Sequence, residues 1–259
     1  MILPIMDFSR SSLYEHDGKT RHHTHSFGIG DARFAAYRWM FDPNKAHKGN
    51  VQLGAGIKLP TGNYNYQAYF YKKPDSSVLG PVDQSIQPGD GGTGLTFELN
   101  GFYNFSHMVG VYADGFYLVN PREVNGTSTA RGGTASATAK KYNTDVMSVP
   151  DLYMARGGVA VMVDEFTFSG GVRMEGLPSK DLVGGSRGFR RPGYIISAEP
   201  SITWVTKKAS FNLSVPVALI RNRTQSNADK RQTADTGVHK QGDAAFADYL
   251  VSAGVTIRL

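Results

Sequence analysis

Hydrophobic and polar residues alternate along most of the chain with a period of two. In residues 95–105 the odd positions are mostly large and apolar, whereas Thr96 and Glu98 lie between them. Further segments with this alternation are residues 51–59, 109–117, 166–174, 194–204, 211–219 and 249–259. Because successive side chains of a β-strand point to opposite faces, this pattern is typical of strands with one apolar face. The sequence therefore predicts an all-β fold.

About ten segments have this character, and each has about the nine to eleven residues that a tilted strand needs to cross a membrane. The first two are the least regular. Residues 3–12 show no clear alternation of apolar and polar positions, and residues 28–41 place Arg38 on the otherwise apolar face. An arginine is tolerated near a membrane edge because its long side chain can carry the charge to the interface. An even number of strands with both termini on the periplasmic side is typical of bacterial outer-membrane barrels.

The connections between these segments alternate in length. The short connections are residues 42–48, 106–108, 164–165 and 206–208. The long polar connections are residues 13–27, 61–93, 120–150, 176–193 and 222–243. Outer-membrane barrels have short periplasmic turns and long external loops. The pattern predicts a transmembrane antiparallel up-and-down β-barrel of about ten strands, forming a single domain over residues 1–259.

Composition excludes a helical membrane protein. The chain has 40% hydrophobic residues and a mean hydropathy of −0.32, without an apolar run near the length of a spanning helix. The net charge of +6 could indicate a nucleic-acid partner, but the basic residues are scattered, with one small cluster at Arg187, Arg190 and Arg191. We therefore expect outer-membrane lipid, and no nucleic acid, as the partner. The absence of cysteine fits export through an oxidising periplasm but is also common in cytosolic proteins.

The alternative for such strands is a soluble sandwich or lipocalin-like barrel with its apolar face turned inward. Against it stand charged side chains on the polar faces, which would line the lumen of a membrane barrel. These pore-lining candidates are Lys58, Glu98, Asp114, Arg156, Arg173, Glu199 and Arg258. Aromatic residues fall near strand ends on the apolar faces, at Tyr103, Phe105, Tyr117, Phe166, Trp204, Phe211 and Tyr249. Rings near strand ends match the aromatic girdle of a membrane interface better than a packed core.

Several short motifs resemble a known family. They are residues 3–18, Gly-Ile-Gly-Asp at 28–31, Leu-Pro-Thr-Gly at 59–62, residues 84–92 with Gln-Pro-Gly-Asp-Gly-Gly, and residues 184–194. Over nearly its whole length the chain resembles outer-membrane proteins of Gram-negative bacteria that form the MetA-pathway of phenol degradation family. The resemblance implies a channel-like, porin-like barrel, linked in some members to uptake of aromatic compounds.

The start of the chain lacks the features of an export signal. Residues 1–5 lead directly into Asp7 and Arg10 without a basic region, an apolar core and a cleavage site. Either this is a mature form or the chain is truncated. In similar proteins the first segment follows another hairpin and a signal peptide, so the resemblance implies an N-terminal truncation and a complete barrel of about twelve strands.

Catalytic and metal motifs are weak. His16, His22, His23 and His25 lie near Glu15 and Asp17 and could bind a divalent metal, but they are more simply a polar external loop. His107 falls in a predicted turn without an evident catalytic partner. We expect no metal, no cofactor and no enzymatic activity.

The inward charges leave two functions open. Opposite charges in a narrow lumen can pair and form a salt-bridged structural or adhesion barrel that conducts nothing. Alternatively they line a selective pore for passive transport of small solutes across the outer membrane, with aromatic or hydrophobic compounds as the candidates; this is the favoured function. An external aromatic cluster could form a platform at its mouth or, as we prefer, extend a strand above the membrane. It comprises Tyr64, Tyr66, Tyr69, Phe70 and Tyr71.

Overall fold

A computed structural model describes residues 1–73, 75–242 and 246–257, and it confirms the all-β prediction. The described residues form sixteen strands and two α-helices. In chain order they are β1 (Ile5–Ser12), β2 (His22–Ile29), β3 (Ala32–Trp39), β4 (Gly49–Leu59), β5 (Gln67–Lys73), β6 (Ser76–Pro81), β7 (Gly94–Asn104), β8 (Val109–Val119), β9 (Val124–Ser128), α1 (Ala137–Lys141), β10 (Val146–Ser148), β11 (Leu152–Val163), β12 (Phe166–Leu177), β13 (Gly193–Val205), β14 (Ala209–Ser214), β15 (Val217–Arg223), α2 (Asn227–Thr236) and β16 (Ser252–Ile257).

Ten of these strands form one antiparallel sheet that curls into a half-barrel. Its neighbours run in the order β3, β4, β7, β8, β11, β12, β13, β14 and β16, and β15 also pairs with β13. The break between β14 and β15 falls at Pro216, which has no N–H to donate to a ladder. The four predicted tight connections join neighbouring strands of this sheet, and Asp164 adopts the left-handed conformation (φ 51°) in one of them.

The edges of the main sheet do not meet among the described residues. At one edge β3 pairs with β4, and its other side receives only a bridge between Ile2 and Arg33. At the other edge β16 pairs with β14. The closed transmembrane barrel therefore stays a prediction.

The two faces of the sheet differ in the way that the alternation predicts. On β7 the apolar Leu95, Phe97 and Leu99 are 47–51% exposed, whereas Thr96 between them is 1% exposed. We call the side that carries Leu99 the outward face and the side that carries Thr96 the inner face. The apolar side chains thus lie on the more exposed face, and most polar and charged side chains of the strands lie on the inner one.

One predicted spanning strand lies outside the main sheet. Residues 3–12 contain β1, which pairs with β2 along its whole length in a separate two-stranded sheet. The polar residues of β1 give it no continuous apolar face, in agreement with the lack of a clear alternation in its sequence. The predicted strand at residues 28–41 is also divided, because Gly30 and Asp31 separate the end of β2 from the start of β3.

The predicted long loops are folded segments. They contain β5, β6, β9, β10, α1 and α2, and most of β2 falls within the predicted loop at residues 13–27. We use the name loop layer for residues 61–93, 120–151, 178–192 and 224–242. Helix α2 begins with a capping box formed by Ser226 and Asp229 and ends at Gly237, whose φ of 67° suits glycine. Fully buried apolar side chains of the chain lie in this layer, at Phe70, Val82, Met147 and Val149. Neither α1, α2 nor the short 3-10 helix at Gln84–Ile86 is long and apolar enough to span a membrane, and these are the helices of the described residues.

Candidate functional site: the charged inner face

The inner face brings charged residues from four adjacent strands together. The antiparallel register places Asp114 of β8 opposite Arg156 of β11, and Arg156 opposite Arg173 of β12. Glu199 of β13 lies opposite Gly171 of β12. Residues opposite one another point to the same side of a sheet. The strand register and the alternation therefore place these side chains next to one another on the inner face.

These residues form a continuous ion-pair network. Arg156 Nε lies 2.7 Å from Asp114 Oδ2, and Arg156 Nη1 lies 3.2 Å from Glu199 Oε1. Arg173 lies 3.7 Å from the same Glu199 oxygen, and its Nη2 donates to Glu175 Oε2 at 2.6 Å. The side chain of Glu199 is only 2% exposed, so the carboxylate is held beneath the two guanidinium groups.

Glycine makes room for this network. An added Cβ at Gly171 would lie 2.7 Å from the Tyr112 hydroxyl and 2.5 Å from the Gly157 carbonyl oxygen. The Arg156 guanidinium lies 5.9 Å from the centroid of the Tyr112 ring. The small residue therefore lets an aromatic side chain and a charged network share the inner face.

A second ion pair joins β3 to β7. Arg33 Nη1 donates to Glu98 Oε1 at 2.7 Å, and the Tyr37 hydroxyl donates to the same oxygen at 3.0 Å. The Arg33 guanidinium also lies 5.3 Å from the centroid of the Phe116 ring. Phe116 is an apolar residue on the inner face, where the alternation of the sequence predicts polar side chains.

A third ion pair joins three of the motif segments. Lys58 Nζ lies 3.1 Å from Asp31 Oδ2 and also contacts Asp90. Asp31 accepts from the backbone N–H of Gly62 at 3.0 Å and of Asp90 at 3.1 Å. An added Cβ at Gly62 would lie 2.8 Å from the Cα of Gly89, so glycine is required for this close approach of two backbones. The motifs at 28–31, 59–62 and 84–92 thus build one junction between strand ends and the loop layer.

An open cavity of about 420 Å³ lies on the inner face next to the loop layer, and we call it the loop-side cavity. Phe116, Met154 and Ile195 give it apolar walls. Arg173 and Glu175 of the ion-pair network border the same space. The cavity can therefore contact an apolar body and a polar substituent at the same time.

The predicted pore-lining residues are brought together on the inner face. Lys58, Glu98, Asp114, Arg156, Arg173 and Glu199 each take part in an ion pair. Arg258 lies outside the described residues. Whether this face lines a pore stays a prediction.

The predicted aromatic cluster is divided between two environments. Tyr69 and Tyr71 lie exposed on β5, while Phe70 between them is fully buried. Tyr64 and Tyr66 are half-buried before that strand, and Arg122 lies 5.6 Å from the Tyr64 ring.

The loop layer holds a buried charge cluster that sequence reasoning missed. Arg191 binds Asp83 through two hydrogen bonds of 2.8 Å, and Arg131 adds a third of 2.6 Å. Burial disfavours the Asp83 carboxylate, but Arg191 and Arg131 outweigh it and hold the pKa of Asp83 well below its usual range. Since these residues are far apart in the chain, no local pattern marks the cluster.

The histidines pack rather than converge on one point. His16 lies with its ring 4.8 Å from that of His22, and its Nδ1 accepts from the Tyr71 backbone N–H at 3.1 Å. Burial, followed by the neighbouring His22, lowers the pKa of His16. Within the described ranges, no group of three or more His, Cys, Asp or Glu side chains is arranged to hold a metal ion.

Comparison with known proteins adds no relative to this picture. No protein-family model matches the chain, and a search of curated proteins finds no match. The functional argument therefore rests on the geometry of the sheet and its inner face, and membership of the resembled family stays a prediction.

Proposed function

We propose that the chain forms a closed transmembrane β-barrel in a bacterial outer membrane and that its inner face lines a passage for small solutes. The observation that carries this proposal is that apolar side chains lie on the outward face and charged side chains on the inner face. Leu95, Phe97 and Leu99 are about half exposed, whereas Glu199 and Lys58 are buried in ion pairs. An apolar exterior around a polar interior is the arrangement that lipid favours and water does not.

Aromatic side chains at the tight-turn end support the membrane assignment. On the outward face, Trp204 stacks between Phe166 and Phe211 with centroid distances of 6.3 and 5.3 Å. These residues flank the connections at residues 164–165 and 206–208. A row of rings at one level of a sheet is typical of the interface between lipid tails and headgroups.

The loop-side cavity supports the passage and indicates its solute. Phe116, Met154 and Ile195 can contact an aromatic or apolar body, while Arg173 and Glu175 meet its polar substituents. A volume of about 420 Å³ suits a small molecule. Movement through the passage would be passive diffusion along the inner face after entry between the external loops. The proposal includes no catalytic step.

A non-conducting structural barrel is the second candidate, and the ion-pair network favours it. Arg156 and Arg173 both engage Glu199, and Lys58 engages two carboxylates. Such pairs can hold the inner face together without any solute.

The first test is whether a closed barrel forms. The protein, directed to the outer membrane by an export signal, is compared with and without boiling on SDS gels. A change in mobility in the outer-membrane fraction is expected for a closed barrel. A protein that stays soluble and unshifted would overturn the membrane assignment.

The second test separates the passage from the structural barrel. Purified protein is reconstituted in planar bilayers, and conductance and ion selectivity are compared for wild type, Arg156→Ala and Glu199→Ala. Lys207→Ala, in an exposed turn, is the matched control for loss of a cation. The passage predicts altered selectivity in the first two variants alone. Absent conductance, or selectivity unchanged in both, would favour the structural barrel.

A further inference from the structure

A second cavity lies on the inner face toward the tight turns, separate from the loop-side cavity. This turn-side cavity has a volume of about 350 Å³. Hydroxyl groups of Ser169, Ser201 and Thr203 contribute to its walls, and Asp114, Arg156 and Glu199 form its charged side. The cavity therefore combines charged side chains, among them the buried Glu199 carboxylate, with several neutral oxygen atoms.

One oxygen of that carboxylate has no hydrogen-bond partner. Glu199 Oε1 receives Arg156 at 3.2 Å, whereas Glu199 Oε2 is buried without a partner among the described residues. The side chain is 98% buried, since its exposure is 2%. A buried carboxylate oxygen without a donor or a cation is costly, and native structures seldom leave one so. A donor or a cation at this atom would be stabilised by the carboxylate.

The surrounding charges leave a net negative site. Two carboxylates, Asp114 and Glu199, and one guanidinium group, Arg156, line the cavity, and Arg173 contacts Glu199 from the neighbouring strand. With all groups ionised, one negative charge is not balanced within the lining itself. A ligand with a single positive charge would balance it, whereas the two nearby guanidinium groups oppose a more highly charged ion.

The hydroxyl oxygens of the cavity retain the capacity to accept hydrogen bonds or to bind a cation. The Ser169 and Ser201 oxygens lie 2.6 Å apart, so one hydroxyl hydrogen is used between them. Asn212 donates to Thr203 Oγ1 at 2.9 Å. Oxygen lone pairs consequently remain available to a bound cation or to an N–H donor.

We infer that the turn-side cavity binds a small monovalent cation, with Glu199 Oε2 as its anionic ligand and the Ser169 and Ser201 hydroxyls as neutral ligands. The ligand chemistry is shared by an alkali-metal ion and the ammonium group of a small amine. The inference rests on the proposed function, because it makes this site the cation-selective constriction of the passage.

The direct test measures binding by calorimetry on the purified, folded chain. Potassium ions and methylammonium are titrated separately into protein held in choline chloride at constant ionic strength. We expect saturable binding of one equivalent of at least one probe. Potassium binding alone identifies a metal ion, methylammonium binding alone identifies an amine, and binding of both identifies a general monocation site. The absence of saturable binding by either probe would overturn the inference.

Variants assign the binding to this cavity. Glu199→Gln should weaken binding at least about tenfold, which corresponds to about 1.4 kcal/mol. Asp164→Asn, which removes the same charge from a distant turn in which asparagine tolerates the left-handed backbone, should bind like wild type. Ser169→Val keeps every charge but replaces the hydroxyl oxygen by methyl groups, and it should also weaken binding. It provides the decisive comparison if Glu199→Gln does not fold. Wild-type affinity in a folded Glu199→Gln or Ser169→Val variant would contradict the inference.

Conductance separates this inference from the proposed function. Binding that depends on Ser169 and Glu199 in a protein that does not conduct would support the cation site and overturn the passage. Conductance without saturable binding would support the passage and overturn the cation site.

Discussion

Arg190 and Asp181 form a bidentate ion pair inside the loop layer, with nitrogen–oxygen distances of 2.7 and 2.6 Å, and both side chains are fully buried. Asp181 also accepts from the Asp151 backbone N–H at 2.9 Å. The pair therefore fixes the connection between β12 and β13 to the segment that precedes β11.

Arg190→Met should destabilise the loop layer because it leaves the Asp181 carboxylate buried without its cation. Removing one partner of a buried pair typically costs about 3–5 kcal/mol. Hydrogen exchange of β9 and β10 amides measures the local opening free energy. Arg187→Met is the control, since Arg187 is largely exposed in its pair with Glu123, and it should change little. Equal protection in both variants would argue against a structural role for the buried pair.

The contact between His16 and β5 should weaken in mild acid. The folded-state pKa of His16 lies below its ordinary value of about 6.5, so the opened form binds the proton more tightly. The stabilisation is fully present above about pH 6.5 and is lost as the pH falls toward the lower folded-state pKa. Exchange of the Tyr71 amide, corrected for its intrinsic pH dependence, measures the effect.

His16→Asn supplies the control for this pH dependence. The asparagine Oδ1 atom can accept a hydrogen bond in place of His16 Nδ1 but does not titrate near neutral pH. The extra opening below pH 6.5 should disappear in this variant. An unchanged pH response would assign the titration to a different group.

Neighbouring glycines on β12 should respond in opposite ways to alanine. A Cβ at Gly171 meets the Gly157 carbonyl oxygen at 2.5 Å, while a Cβ at Gly170 has nothing within 4 Å. We expect Gly171→Ala to lower the free energy of unfolding by about 1–3 kcal/mol through overpacking. Gly170→Ala should stay within about 0.5 kcal/mol of wild type. Urea unfolding of both variants checks this, and equal stabilities would refute the crowding of the inner face.

A charge on the outward face should be costly only if that face meets lipid. Leu99→Arg should lower the free energy of unfolding from lipid vesicles by about 2–4 kcal/mol if Leu99 lies near the bilayer midplane. Leu182→Arg is the matched control, because Leu182 is 69% exposed in the loop layer. If Leu99→Arg is as neutral as the control, the outward face does not lie in the membrane.

The faces of the strands were predictable because alternation is a local property. The parity of residues 95–105 placed Glu98 on the inner face, and the structure finds it there with Arg33. The same reasoning missed the apolar wall of the loop-side cavity. Phe116 follows Asp114 by two residues and therefore shares its face, but in the sequence only the charged residues mark that face.

The loop layer was not predictable, because its contacts join segments with no common periodicity. Asp83 binds Arg191, which lies 108 residues later. The burial of Phe70 is also not predictable from the sequence, since it lies between two other aromatic residues, Tyr69 and Tyr71, that are exposed. Such contacts depend on which strand ends the sheet brings together. The sequence around each residue does not predict that arrangement.

The long chain separation between Asp83 and Arg191 has a consequence for the order of folding. Bringing the ends of so long a segment together has an entropic cost before any contact forms. That cost falls once β7, β8, β11 and β12, which lie between them in the chain, are paired. We therefore expect Arg191 to reach Asp83 late, after these hairpins have assembled, with this junction of the loop layer closing over a sheet that already exists.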